Sequence, residues 1–107
     1  MEELKKQIQS AVNLYKSGDF SKAELITKKL IDSNPQIVFL HNLLGLISER
    51  ESKIEQAKNS YEKSIKIDPT FAMPYNNLGL LYFNHTSEVK KAEDLYKKAI
   101  LIDKKIF

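Results

Sequence analysis

The stretch Tyr75-Asn76-Asn77-Leu78-Gly79-Leu80-Leu81-Tyr82, followed ten residues later by Ala92-Glu93-Asp94-Leu95-Tyr96, decides the reading of this chain. Its elements recur upstream. Leu44-Gly45 precedes Leu78-Gly79 by 34 residues, and Pro35 precedes Pro69 by 34. Ala23-x3-Thr27, Ala57-x3-Tyr61 and Ala92-x3-Tyr96 are spaced by 34 and 35. Phe20, Ile54 and Val89 each stand three residues before the alanine. Agreement of independent features on one period is the signature of a repeat architecture.

Each period holds two helical patterns. Phe39, Leu43, Leu44 and Ile47 recur at helical spacing, and Ile54, Ala57, Tyr61 and Ile65 form a second stripe. The polar run Glu49-Arg50-Glu51-Ser52-Lys53 separates them. Pro35 and Pro69 close the other junctions, because proline fits a first helical turn but not an interior. The pattern predicts six helices at about 2–17, 20–33, 36–50, 53–67, 71–84 and 87–104. Ser52-x-x-Glu55 reads as a capping box opening the fourth. Gly18 and Ser87 hold the position equivalent to Ser52, where a tight turn or a cap is required. One extra residue in the last period falls in Asn84-His85-Thr86. Glycine costs about 1 kcal/mol relative to alanine inside a helix, so Gly45 and Gly79 imply close helix crossings. Ala23, Ala57 and Ala92 are the expected facing surface. Leu44, Tyr61, Phe20, Phe71, Leu78, Tyr96 and Ala99 are assigned with them to the core.

Composition bounds the function. A chain of 107 residues buries roughly 60–70% of its unfolded surface, one modest core with little room for a cleft between lobes. Seventeen basic against 14 acidic residues give +3, spread evenly, so charge gives nucleic acid binding no support. The absence of cysteine removes disulfides, thiolate chemistry and cysteine metal sites. No apolar run approaches the roughly 20 residues of a membrane span, and no apolar core follows Met1-Glu2-Glu3-Leu4-Lys5-Lys6. The expectation is a cytoplasmic protein that contacts no membrane. His41 and His85, 44 residues apart, make no metal site. His41 reads as a helix-packing residue and His85 as solvated. Glu49, Glu51, Glu93 and Asp94 read as solvated surface, as do the lysines Lys90, Lys91, Lys97 and Lys98. No cofactor and no enzymatic activity are expected.

These residues resemble the tetratricopeptide repeat family, whose pattern is an aromatic, two residues, Leu-Gly, two residues, Tyr, then Ala-x3-aromatic, then Pro. Tyr75-x2-Leu78-Gly79-x2-Tyr82 and Ala92-x3-Tyr96 carry it in full; His41-x2-Leu44-Gly45, Ala57-x3-Tyr61 and Pro69 carry it with His in the aromatic place. The first repeat diverges, with Ser10, Ala11 and Leu14 for Leu, Gly and Tyr. The resemblance implies an all-α, right-handed solenoid of three helix-turn-helix repeats, at about 4–37, 38–71 and 72–106, forming one domain.

The resemblance also implies a concave face lined by the first helix of each pair. In register, it carries Val12 and Tyr15, then Phe39, Asn42 and Leu46, then Met73, Asn76, Asn77, Leu80 and Phe83. The implied function is a non-catalytic scaffold holding a protein, peptide or amphipathic helix, with apolar side chains supplying affinity and asparagines bonding a backbone. Asn77 matches an asparagine that some family members use so; its counterpart Leu43 breaks any ladder. The carboxylate-clamp positions of chaperone-binding members hold Ile8, Val12, Leu43, Met73 and Asn77, so capture of a C-terminal carboxylate by that device is not expected. No polar capping helix follows Ala99-Ile100-Leu101-Ile102. That leaves two further readings open: a recruiting arm of a larger enzyme such as a glycosyltransferase or sulfotransferase, and self-association through the last helix.

Overall fold

The computed structural model describes residues 2–105. They form six helices: α1 (Glu2–Lys16), α2 (Phe20–Ser33), α3 (Val38–Arg50), α4 (Ile54–Ile67), α5 (Met73–His85) and α6 (Val89–Lys105). Every bound lies within two residues of the periodicity's prediction. Short loops fold them into the pairs α1–α2, α3–α4 and α5–α6, each stacked on the next.

The turn between α3 and α4 differs from the expected capping box. Ser52 is not an N-cap. It adopts φ +61° in the left-handed region, and Lys53, without a side-chain cap bond, starts α4. The Lys53 amide donates back to the Ser48 carbonyl at 2.8 Å, closing the end of α3. Gly18 does the same at φ +87°, with the Asp19 amide on the Leu14 carbonyl at 2.9 Å. Both are helix-terminating turns that need one left-handed residue. In the third pair α5 runs on to His85, one residue past the position equivalent to the end of α3. Thr86 takes over there: its hydroxyl donates to the Tyr82 carbonyl at 2.7 Å and accepts from the Glu88 amide at 3.0 Å.

The turns between pairs are stapled from above. The Tyr75 hydroxyl donates to the Pro69 carbonyl at 2.9 Å, and His41 donates through Nε2 to the Pro35 carbonyl at 2.9 Å. Position and partner are each 34 residues apart, so His41 is a buried structural stand-in for the aromatic.

Two apolar clusters lie where one pair meets the next helix. Ala11, Ala23, Leu43 and Ile47 centre the first; Ala57, Tyr61, Leu78, Leu81, Tyr82 and Ala92 centre the second. The glycines admit aromatic rings, with the alanines in a lesser part than expected. A Cβ on Gly45 would overlap the Tyr61 ring, and one on Gly79 would press on Tyr96 and the Ala92 carbonyl. The first pair solves the same crossing differently: Ala11 and Thr27, both fully buried, hold the positions of Gly and Tyr. Phe20, Phe71 and Tyr96 are half-buried at the edges.

Helix α3 touches both α1 and α5, whereas among the described residues α2, α4 and α6 do not touch one another. A stack whose odd helices converge and whose even helices splay is curved, with α1, α3 and α5 inside.

Candidate functional site

The inner face is built from α1, α3 and α5, and its residues divide into two groups. Val12 and Tyr15 are half-buried against the first cluster, and Leu46 packs on the second. Asn42 is 1% exposed, and its Oδ1 accepts a hydrogen bond from Asn77 Nδ2 at 3.0 Å. The convergence of α3 and α5 explains this: two neighbouring amides inside the bend satisfy each other instead of facing outward. Asn42 is therefore not free to bond a peptide backbone, and Asn77 is half-buried with one donor engaged.

The second group stands open. Phe39, Met73, Leu80 and Phe83 are 38%, 48%, 41% and 58% exposed, and Asn76 is exposed beside them. Met73, Asn76, Leu80 and Phe83 recur at helical spacing, forming one stripe along three turns of α5.

Two polar networks behind this face were not visible in the sequence. Glu24 on α2 accepts from Lys53 Nζ at 2.9 Å and Gln56 Nε2 at 2.9 Å, with Lys28 at 3.2 Å. Gln56 also donates to Ser48 Oγ at 2.7 Å, which donates to the Leu44 carbonyl at 2.7 Å. Burial pushes the Glu24 carboxyl up, but the hydrogen bonds from Gln56, Lys53 and Lys28 outweigh it and hold it at about 2. The network ties the first pair to the second. Glu49 accepts from the Tyr61 hydroxyl at 2.6 Å and lies 3.6 Å from His85. Burial first, and the Glu49 carboxylate second, push the Tyr61 phenol well above its ordinary range. Glu49 and Glu51 are thus tucked-in structural groups, a correction to their reading as solvated surface, while His85 is exposed as read, with Nε2 3.6 Å from Glu49. Lys90 and Lys97 do lie in water, bridged to Glu93 and Asp94.

A cleft of about 400 Å³ opens at the end of the stack between α5 and α6, lined by Met73, Asn76, Asn77, Tyr96, Ile100 and Asp103. A second, about 410 Å³, lies between α1 and α2, with Gln7, Ser10, Ile26 and Lys29 in its wall. Among the described residues, no group of His, Asp and Glu has the arrangement of a metal site, and no helix is long and apolar enough to cross a membrane.

A sequence model of a family described as TPR repeat matches residues 50–85. An uncharacterized protein, ycf37, of Pyropia yezoensis is 35% identical over 69% of this chain and 41% of its own length. The chain spans about two fifths of the curated relatives it matches. The Yersinia enterocolitica type III secretion translocator chaperone SycD superposes with a TM-score of 0.89 at 19% identity, over 95% of this chain and 76% of that one. The second TPR of Spaghetti (RPAP3), solved with an HSP90 peptide, gives 0.84 at 13% identity, over 92% and 91%. At such identities the likeness is one of fold. With three stacked helix pairs, glycines seating the following aromatic and a family match on the central turn, the chain belongs to the tetratricopeptide repeat family.

Proposed function

We propose that the chain is a non-catalytic interaction module that holds an apolar peptide or a short amphipathic helix against α3 and α5. One observation supports this above the rest. Phe39, Met73, Leu80 and Phe83 stand between 38% and 58% exposed on the helices that form the inner side of the bend. Large apolar side chains concentrated in one concave region mark a contact surface. The protein of known structure that carries an HSP90 peptide lends the fold a precedent. The ligand contacts proposed are apolar, with Asn76 as the amide free to bond a backbone. Asn42, Val12 and Leu46 serve the fold behind them.

The test is selection from a random peptide library, followed by affinity measurement on each hit. Phe83→Asp is expected to weaken hits by about tenfold or more, since an anchor side chain carries roughly 1.4 kcal/mol or more. Its thermal melt should match that of the parent, because Phe83 is 58% exposed. A library without hits, or hits indifferent to both Phe83→Asp and Leu80→Asp, would exclude this surface.

A further inference from the structure

The α3–α4 pair receives α5 on a definite face. Leu46 and Ile65 pack there against the cluster containing Leu78, Leu81 and Tyr82, around the buried Tyr61 ring. Asn42 accepts the Asn77 amide at 3.0 Å. Moving one period along the chain converts Asn42, Leu46, Tyr61 and Ile65 into Asn76, Leu80, Tyr96 and Ile100, the same residue types in the same order. In the second set these groups are uncovered. Asn42 is 1% exposed while Asn76 is exposed; Ile65 is half-buried while Ile100 is 54% exposed. Asn76, Tyr96 and Ile100 line the cleft of about 400 Å³.

We propose that this free face of α5–α6 is a helix-accepting site that repeats the α4–α5 junction, and that its occupant is an amphipathic helix of a partner protein built like α5. Such a helix presents a side-chain amide, an apolar residue directly after it, and two more at four and five residues on, as Asn77, Leu78, Leu81 and Tyr82 do. The amide bonds Asn76 as Asn77 bonds Asn42. The apolar residues cover Leu80, Tyr96 and Ile100. Continuity with the internal junction specifies both register and chemistry. A second copy of this chain fits less well. Its α1 would bring Gln9 as the amide, but Ser10 and Asn13 would stand where Leu78 and Leu81 bury. The Ser10 hydroxyl would then lose water without a partner, and the Gln9 amide is already committed, donating to Asn13 Oδ1 at 2.9 Å.

The probe is a synthetic peptide of residues 72–86 with two added lysines, labelled and titrated into the whole chain by fluorescence anisotropy. Saturable binding is expected, weakened about thirtyfold by Ile100→Asp and unaffected by Phe39→Ala. Leu80 and Asn76 border the concave surface as well, whereas Ile100 belongs to this face alone, so the two surfaces fail independently. A peptide carrying Ser and Asn in place of Leu78 and Leu81 is expected not to bind. Amide chemical shifts provide a second readout free of any variant: the peptide should move Tyr96 and Ile100 and leave the α1–α2 pair still. Absence of binding, binding indifferent to Ile100→Asp, or shifts spread through all six helices would overturn the site. Dimerisation of the chain that Ile100→Asp abolishes would overturn the choice of occupant and assign the face to a second copy.

Discussion

Gly45→Ala and Gly79→Ala are the same change at equivalent places, and the structure assigns them different outcomes. A Cβ on Gly45 would lie 2.5 Å from Cδ1 and 2.8 Å from Cζ of Tyr61, and nearer still to Cε1. The ring has nowhere to go: Tyr61 is 0% exposed, sits in the second cluster, and its hydroxyl is held by Glu49 at 2.6 Å. Overpacking costs about 1–3 kcal/mol, and disturbing a hydrogen bond to a carboxylate about 1–3 kcal/mol more. Alanine returns about 1 kcal/mol of helix propensity. The net is a loss of about 3 kcal/mol, or roughly 15 °C in Tm for a domain of this size. On Gly79 the Cβ would lie 3.0 and 3.1 Å from Tyr96 and 3.3 Å from the Ala92 carbonyl. Tyr96 is half-buried and can yield by a few tenths of an ångström, so propensity and crowding nearly cancel. Its Tm should fall within about 4 °C of the parent's. Urea unfolding and thermal circular dichroism on both variants measure the contrast. The Gly45→Ala, Tyr61→Thr double variant, which rebuilds the Ala11 and Thr27 pair, should lose less than the two single changes added together. Equal losses at the two glycines, or an unharmed Gly45→Ala, would refute the ring as the reason for glycine.

The Thr27 hydroxyl is buried with no hydrogen-bond partner among the described residues, so Thr27→Val, nearly isosteric, should be neutral or stabilising by about 1 kcal/mol in urea unfolding. Ser52 holds a left-handed conformation that costs a non-glycine residue about 1–2 kcal/mol; Ser52→Gly, copying Gly18, should raise Tm after the added chain entropy is subtracted. Glu24, held at about 2 against an ordinary 4.5, favours the folded state above pH 4.5 and loses that contribution as pH falls from 4.5 toward 2. With Lys53 and Lys28 nearly half in water, the contribution is about 1–2 kcal/mol, and Glu24→Gln should flatten that part of the acid unfolding curve.

How far the sequence could be read depends on the range of each interaction. Helix bounds, the two glycine crossings and the role of His41 all follow from one period, because they are local or repeat with it. Ser52 is the exception, because Ser-x-x-Glu has the form of an N-terminal cap. The left-handed turn that precedes it depends on backbone bonds back to Ser48 and Ile47, which no side-chain pattern reports. Tyr61 reads as core, but its fit against Gly45 does not follow from the repeat, since a period gives the face a residue occupies and not the neighbour that fills it. Asn42 and Glu49 escaped for the same reason. Asn77 lies 35 residues from Asn42, on the next repeat, and Tyr61 lies 12 residues from Glu49, on the facing helix. Glu24 with Lys53 and Gln56 is a third pairing of this kind.

The same geometry decides where this molecule can bind anything. Curvature drives α1, α3 and α5 together, and the middle helix is consumed by the contact: Asn42 and Leu43 disappear between its neighbours. A longer stack would repeat that loss at every internal repeat, so inner-face chemistry survives on the flanks of the bend and at its last helix. The ends are not equivalent. The outer face of α1 offers Gln7, Ser10 and Asn13 to water, while the α5–α6 pair offers Leu80 and Ile100 at 41% and 54% exposure beside a duplicated acceptor amide on α5. Burying those two side chains under a helix would contribute on the order of 1–2 kcal/mol each, whereas covering α1 would strip water from amides and a hydroxyl for no comparable return. On the proposal above, an added helix is therefore favoured on the α5–α6 face over the outer face of α1.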